Sequence, residues 1–355
     1  MTIQENVPLA PLTTLQVGGS ARYFAELRRE DDVREAAQFA KTQELALFVL
    51  GGGSNLVVAD AGWPGLVLRI AIGGITTQTT DAPGNAVLFS VGAGVNWDDV
   101  VAQAVVQNCA GGECLSGIPG SVGGTPVQNV GAYGQEVSET IESVRALDLK
   151  EDRMVVLPKP ACGFRYRTSI FNTTERGRYI ILRVNFRLKR GGAPSLKYAD
   201  LQKRFAERLA EKKTPPSLAE TREAVREIRR SKGMLIVPGD DDSRSAGSFF
   251  KNPVLSEAQF KDLAERAKSK GLEIPSYPAL DAQRKVSAAW LVEHSGFAKG
   301  YGFGAVGISH KHALALINRG NAKASDIVGL KDEIQHGVQK TWGILLEPEP
   351  VFIGF

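Results

Sequence analysis

Four short stretches of this chain hold side chains that could do chemistry, and they lie far apart. In Cys162-Gly163-Phe164-Arg165-Tyr166-Arg167-Thr168-Ser169-Ile170-Phe171, two arginines flank a tyrosine. Such alternation puts Arg165 and Arg167 on one face of a strand and Tyr166 on the other. Arginine grips carboxylate or phosphate through paired N–H groups; an exposed edge strand would show the same alternation. In Ala246-Gly247-Ser248-Phe249-Phe250-Lys251-Asn252-Pro253, Ser248 sits between a glycine and two aromatics, held rigidly yet approachable. No G-x-S-x-G elbow surrounds it, so a hydrolase nucleophile is not indicated, and a plain turn serine is the alternative. In Leu345-Leu346-Glu347-Pro348-Glu349-Pro350-Val351-Phe352, two prolines exclude helix and central strand. Glu347 and Glu349 would project the same way from an extended chain, as a working pair or as solvated acids. His310 and His312 lack the i, i+4 spacing of a helical metal site and have no Cys/His cluster beside them. They read as packing or surface residues, and no metal is expected.

A fifth stretch is built to bind. The apolar run Leu45–Leu50 reads as a buried strand that stops at Gly51-Gly52-Gly53, followed by Ser54 and Asn55. Glycines let the backbone bend tightly and approach a ligand. Successive N–H groups in such a turn can form an anion-holding nest, with the Ser54 hydroxyl and Asn55 amide as further donors. A tight turn at a sheet edge is the competing reading. The glycines are contiguous and no capped helix follows, so this is not a Rossmann fingerprint. A second glycine-rich stretch, Leu115 to Gly134, holds six glycines and two prolines in twenty residues. It can form neither a regular helix nor a long strand, and a loop this long is usually functional.

The elements that must position these stretches follow from periodicity. Asp31 and Asp32 precede Val33, Ala36 and Ala40 at helical spacing. Strands are expected at Gly65–Ile70 and Ile180–Leu188, with a hairpin from Val144–Leu149 and Met154–Leu157, while Val87–Gly94 opens a glycine-rich region. Asn96 should cap a helix carrying Trp97, Val100, Val101 and Ala104. Leu201, Phe205 and Leu209 make one helix face, Ser217 with Glu220 a capping box, and Ser256 with Gln259 another. Strands are read at Gly302–Gly307 and Ala313–Asn318, and a last long helix through Ile327, Leu330, Ile334 and Val338. A domain boundary is placed between residues 190 and 215, and the part beyond it reads as mixed α+β.

The 355 residues allow two or three domains. No run of 18 apolar residues exists, and the first residues lack a signal peptide's basic and apolar regions, so a cytoplasmic protein without membrane contact is expected. Three cysteines without a CxxC pair argue against a disulfide framework and a zinc site. A net charge of +4 suits anionic small molecules, and no Lys/Arg block points to nucleic acid.

Taken together, TTLQVGG, LGGGSNLVV, SGIPGSVGGTPVQNVGAYG, FRYRTSIF, AGSFFKNP, HALALIN and LEPE, in this order from residue 13 to 349, resemble the UDP-N-acetylenolpyruvoylglucosamine reductase family, type I. The segment Leu196–Leu201 is similar to the tyrosine loop of that type. The resemblance implies an α+β chain. It would have a vanillyl-alcohol-oxidase (PCMH-type) FAD-binding domain over 1–190, in two α+β subdomains split near 71. A linker with the tyrosine loop follows over 191–214. An α+β substrate-binding domain over 215–355 returns a catalytic glutamate to the flavin. FAD, bound non-covalently, would meet Leu50, Gly51, Gly52, Gly53, Ser54 and Asn55. It would also meet Ser116, Gly117, Ile118, Pro119, Gly120, Gly123, Gly124, Gln128, Asn129, Gly131, Ala132 and Tyr133. Arg167 and Glu349 would polarise the substrate and Ser248 would give the proton, with Tyr166, Tyr198, Lys232 and Asn252 contacting substrate. The Gly233–Ser243 segment after Lys232 departs from the family's short Pro-containing loop.

The implied reaction takes a hydride from NADPH to the flavin, then to C3 of UDP-N-acetylglucosamine enolpyruvate, giving UDP-N-acetylmuramate for peptidoglycan. Arg167 would neutralise charge spreading into the substrate carboxylate, Glu349 would act with a proton or through hydrogen bonding, and Ser248 would protonate C2. A monomer is the working expectation. The rivals are a flavin oxidase of a small alcohol or lactone from the same superfamily, and a non-catalytic nucleotide-binding module.

Overall fold

The computed structural model describes residues 1–79, 85–211, 214–279 and 282–355. The chain divides into two compact units, each from separated stretches: unit 1 is Met1–Val7, Ala21–Gly53 and Pro64–Ser231; unit 2 is Pro8–Ser20, Ser54–Trp63 and Lys232–Phe355.

Among its described residues unit 1 holds two larger sheets and the small hairpin of Gly131–Ala132 with Gln135–Glu136. One has the strand order Gln4–Pro8, Ser20–Leu27, Trp63–Ile70, Leu47–Leu50, its last pair parallel. Helix α1 (Glu30–Thr42) lies between the second strand and Leu47–Leu50 in sequence. Glu30, Asp31 and Asp32 fill its first turn, where the helix dipole favours acids, and Val33, Ala36 and Ala40 are buried. The other sheet is antiparallel, in the order Arg153–Pro158, Ile141–Asp148, Tyr179–Arg190, Ala86–Gly92, Ile75–Thr79, with Cys109–Ala110 also pairing to Tyr179–Arg190. Helix α2 (Trp97–Val106) follows, and the Asn96 side chain accepts from the Asp98 N–H as its cap. Trp97 is buried against Phe186, ring centroids 5.5 Å apart.

The single helix expected through Leu201, Phe205 and Leu209 is two, α3 (Ala199–Arg204) and α4 (Ala206–Ala210). Phe205, at φ −108 and ψ 14, breaks the run. Helix α5 (Leu218–Ser231) opens with the Ser217–Glu220 capping box: the Ser217 N–H donates to the Glu220 carboxylate at 2.7 Å, and the Glu220 N–H to the Ser217 hydroxyl at 3.2 Å. This helix, which the sequence reading puts beyond the domain boundary, packs in unit 1 through Ala224 and Val225, beside Cys114 and Leu201.

Unit 2 is α+β. Its helices α6 (Glu257–Ser269), α7 (Ala288–Glu293) and α8 (Ala324–Trp342) surround a core of Phe249, Phe250, Ile308, Leu316 and Trp342. The strand Val351–Ile353 pairs in parallel with Leu56–Val58. The strand expected from Gly302 begins only at Val306, because Gly302 and Gly304 sit at φ 112 and 66, outside strand geometry.

Candidate active site

Unit 1 brings its two glycine-rich stretches into contact. A Cβ on Gly52 would lie 2.4 Å from the Cα of Gly120 and 2.8 Å from the Ser121 nitrogen, so only glycine fits. The Gly120 side of this contact is fixed from behind. Its carbonyl accepts from the Trp97 N–H at 3.0 Å, and the Val122 and Gly123 N–H groups donate to Val95 and Ala93. Gly53 has φ 64, a left-handed residue in a glycine turn, as anion nests require. No acidic residue occurs in Leu50–Asn55 or Ile118–Ala132. Neutral N–H donors with no carboxylate among them suit an anionic diphosphate, so these loops fit FAD.

Not every predicted cofactor residue offers its polar groups outward. The Ser116 hydroxyl, fully buried, donates to the Glu113 carbonyl at 2.6 Å. The Gly117 N–H donates to the Asp98 carboxylate at 2.6 Å. Asn129 is 1% exposed; its amide donates to the Glu136 carboxylate and the Arg165 carbonyl and accepts from the Ser138 N–H. These three hold the loop's shape. Ile118, Pro119, Gly120, Gln128, Gly131, Ala132 and Tyr133 are half-buried, while Gly124 is exposed with open space where a Cβ would stand.

The Arg165–Thr168 segment is a tight turn, correcting the strand expected there. Arg165 and Thr168 exchange both backbone hydrogen bonds, at 2.9 and 3.0 Å, and Arg167 sits at φ 56. The arginines therefore do not share a strand face. The turn is imposed by the glycine loop: Asn129 holds the Arg165 carbonyl, and the Ser169 hydroxyl donates to the Val127 carbonyl at 2.6 Å. Arg167 reaches back to donate to the Gly131 carbonyl at 2.8 Å, its guanidinium 5.2 Å from the centroid of the Tyr166 ring. Gly131 has no room for a side chain beneath it. Tyr133 and Tyr198, predicted for cofactor and substrate, meet edge-on with centroids 5.2 Å apart.

Sequence reasoning missed the network behind the second glycine loop. Asp98 on α2 accepts two bonds from Arg222 (2.6 and 2.8 Å), one from Arg226 (2.7 Å), and the Gly117 N–H. Burial alone would raise the Asp98 carboxyl, but Arg222, the Gly117 N–H and Arg226 outweigh it and hold it below the usual carboxylate range. Arg229, buried on α5 with Arg222 and Arg226, donates to the Gly117 carbonyl at 3.1 Å. Arginines at 222, 226 and 229, spaced for one helix face, were the available signal.

Unit 2 brings Ser248 and Glu349 onto neighbouring extended segments. The Glu349 N–H donates to the Phe249 carbonyl at 2.9 Å, the Lys251 N–H to the Glu347 carbonyl at 2.9 Å, and Phe250 bridges Pro348 antiparallel. The extended Glu347–Glu349 reading holds, with Glu347 exposed and ion-paired to Lys251. The half-buried Ser248 follows Gly247 at φ 74, and its hydroxyl makes no hydrogen bond to any described residue. The Asn55 amide donates to the Glu349 carbonyl at 3.3 Å, and the Val351 N–H to the Asn55 carbonyl, so a predicted cofactor residue fixes a predicted catalytic one. The Asn252 side-chain oxygen accepts from the Ala288 N–H at the start of α7. Lys232 is half-buried. Its charge and that of Lys299 add to burial in pushing the His312 imidazole down to about 4. Among the described residues no cluster could hold a metal, and no helix is long and apolar enough to cross a membrane.

The chain is 46% identical over 353 residues to a UDP-N-acetylenolpyruvoylglucosamine reductase of Thermobifida fusca, covering 98% of this chain and 97% of the other. The chain belongs to the UDP-N-acetylenolpyruvoylglucosamine reductase family. A relative of the same name from Streptomyces avermitilis is 44% identical, with 98% and 94% covered. The crystal structure of UDP-N-acetylenolpyruvylglucosamine reductase (MurB) from Thermus caldophilus matches over 99% of both chains, with a TM-score of 0.65 and 26% identity. The FAD binding domain model matches residues 21–157, which contain both glycine loops. The reductase family's C-terminal domain model matches 239–353, which contains Ser248 and Glu349. The α+β class implied by the resemblance is borne out, and so is an FAD-binding domain in the first part of the chain.

Proposed function

We infer that this chain reduces UDP-N-acetylglucosamine enolpyruvate to UDP-N-acetylmuramate, a step of peptidoglycan precursor synthesis. NADPH is the hydride source and FAD is held non-covalently. The observation that carries the reading is the near full-length identity to relatives of that name, and the closed, acid-free glycine loops support it. Bound FAD would supply the two-stage hydride relay between nicotinamide and substrate. No histidine precedes His294, so the glycine loops offer no imidazole for a covalent flavin link.

In this reading the glycine loops of unit 1 bind the cofactor and unit 2 carries the substrate-binding domain. Arg167, anchored on Gly131, neutralises the negative charge that spreads into the substrate carboxylate. The Ser248 hydroxyl, with no competing hydrogen bond among the described residues, delivers the proton to C2; an enolate is basic enough to take it. Glu349 orients the enolpyruvyl group through hydrogen bonding. Tyr166, Tyr198, Lys232 and Asn252 hold the sugar nucleotide, so that C3 is positioned for attack. The reaction is assigned to the cytoplasm and to a single chain.

The test is anaerobic. NADPH should bleach the flavin band of the purified protein, and the enol ether should restore it. Restoration by air alone, with the enol ether inert, would transfer the assignment to the oxidase reading; a colourless protein without turnover would favour the binding module.

A further inference from the structure

Glu113 is 1% exposed in unit 1 and pairs with no cation among the described residues. A buried carboxylate is costly unless several donors meet it. Three neutral donors do. The Gly111 N–H bonds one oxygen at 2.8 Å, while the Gln135 amide (2.7 Å) and the Ser195 N–H (2.8 Å) share the other. The next residue doubles the grip. The Cys114 N–H donates to the Gln135 side-chain oxygen at 2.9 Å, and its thiol to the Ser195 carbonyl at 3.2 Å. Gln135 is thus held at both ends of its amide, and Ser195 at both backbone groups. The buried Ser195 hydroxyl has no hydrogen bond among the described residues, so the anchoring seen is by the backbone.

The two anchored residues lead to one place. Gln135 closes the hairpin whose turn is Tyr133 and Gly134, both at positive φ. Ser195 stands three residues before Tyr198. A Cβ on Gly134 would lie 3.2 Å from the Lys197 Cβ, and Tyr133 meets Tyr198 edge-on. Tyr198 itself is 39% exposed, so the segment is fixed at its root and open at its tip.

We propose that Glu113 is a positioning residue for substrate binding, acting through Tyr198: its carboxylate ties the root of the Tyr198 segment to the Tyr133 hairpin. The proposal rests on the reading of Tyr198 as a substrate contact. Only a carboxylate accepts from all three donors; the amide of a glutamine would oppose at least one N–H.

The experiment is a double-mutant cycle on the FAD-loaded enzyme with Glu113→Gln and Tyr198→Ala. Steady-state KM and kcat for the sugar nucleotide are measured, with flavin content and thermal midpoint as controls. Glu113→Gln should raise KM roughly tenfold, the scale of one unmet buried polar group, with kcat changed far less. In the Tyr198→Ala background it should add little. An equal rise in both backgrounds overturns the proposal and leaves the Tyr198 reading intact. A Tyr198→Ala enzyme with unaltered KM overturns the Tyr198 reading and the proposal with it. If Glu113→Gln does not fold, the cycle is run with Cys114→Ala, which removes only the thiol bond to Ser195. A KM rise of about twofold to threefold that vanishes in Tyr198→Ala supports the proposal, and an unchanged KM overturns it.

Discussion

Gly52→Ala probes the contact between the two glycine loops. The added methyl would stand 2.4 Å from the Gly120 Cα and 2.8 Å from both the Gly120 carbonyl carbon and the Ser121 nitrogen. Ordinary carbon contacts need about 3.5–4 Å, so the loops must part by roughly 1 Å. Gly120 is bonded to Trp97, and Val122 to Val95, so the Gly51–Gly53 turn has to move. Overpacking of this size costs about 1–3 kcal/mol. If the displaced turn is the one that meets the diphosphate, FAD affinity should fall roughly fivefold to hundredfold, at 1.4 kcal/mol per decade. Flavin-fluorescence titration of the apoprotein measures it. Gly124→Ala is the contrast, since apart from its chain neighbours no described residue lies within 4 Å of its methyl, and a loss there reports on the ligand. Wild-type FAD affinity in Gly52→Ala, with only a lowered thermal midpoint, would refute the reasoning: the loop contact would be architectural and the nest would lie elsewhere.

Arg167→Lys keeps the charge but loses the planar fork and the reach to Gly131. Stopped-flow reoxidation by the enol ether should slow by about 10²–10³ while flavin reduction by NADPH changes far less. Equal slowing would reduce Arg167 to a support for the loop. Ser248→Ala removes a hydroxyl that bonds no described residue, so unfolding free energy should move by less than about 0.5 kcal/mol. Reoxidation should slow by about 10²–10⁴, with cysteine recovering part of it. Asp98, held below its unfolded pKa, contributes stability above about pH 4 that is lost as pH falls through the lower folded value. Urea midpoints of Asp98→Asn should therefore be lower at pH 7 and flatter towards acid. His312, with its pKa pushed down to about 4, should stay neutral from pH 8 to 5 in an NMR titration. Because its unfolded value is higher, near 6.5, it takes stability away as pH falls below that value, fully so below about 4.

What the sequence made legible was local chemistry. Asn96, Ser217 and Ser256 cap their helices as read, because a cap needs only residues within one turn. The glycine stretches were legible as loops. Their contact was not: Gly52 reads as making room for a ligand, while the atom nearest its missing Cβ is the Gly120 backbone. The FRYRTSIF stretch alternates like a strand, and nothing within it demands a turn. The turn comes from Asn129, Gly131 and Val127, more than thirty residues earlier. Asp98 and Arg222 are 124 residues apart and neither carries a motif, so only the fold could pair them.

The pairing of Leu56–Val58 with Val351–Ile353 has a consequence for how the molecule is made. The first of these strands leaves the ribosome long before its partner is synthesised. The same holds for Asp60, whose carboxylate caps α8 at Ala324 and Ser325. Pairing across so much intervening chain is entropically late. Unit 2 is therefore completed only when Val351–Ile353 arrives, and until then its early segments wait without that partner for Val57 and Val58. A gene cut near residue 231 would not yield two working halves, since each would carry strands that belong to the other. The segments 8–20 and 54–63 would have to be grafted along with 232–355 for that half to fold on its own.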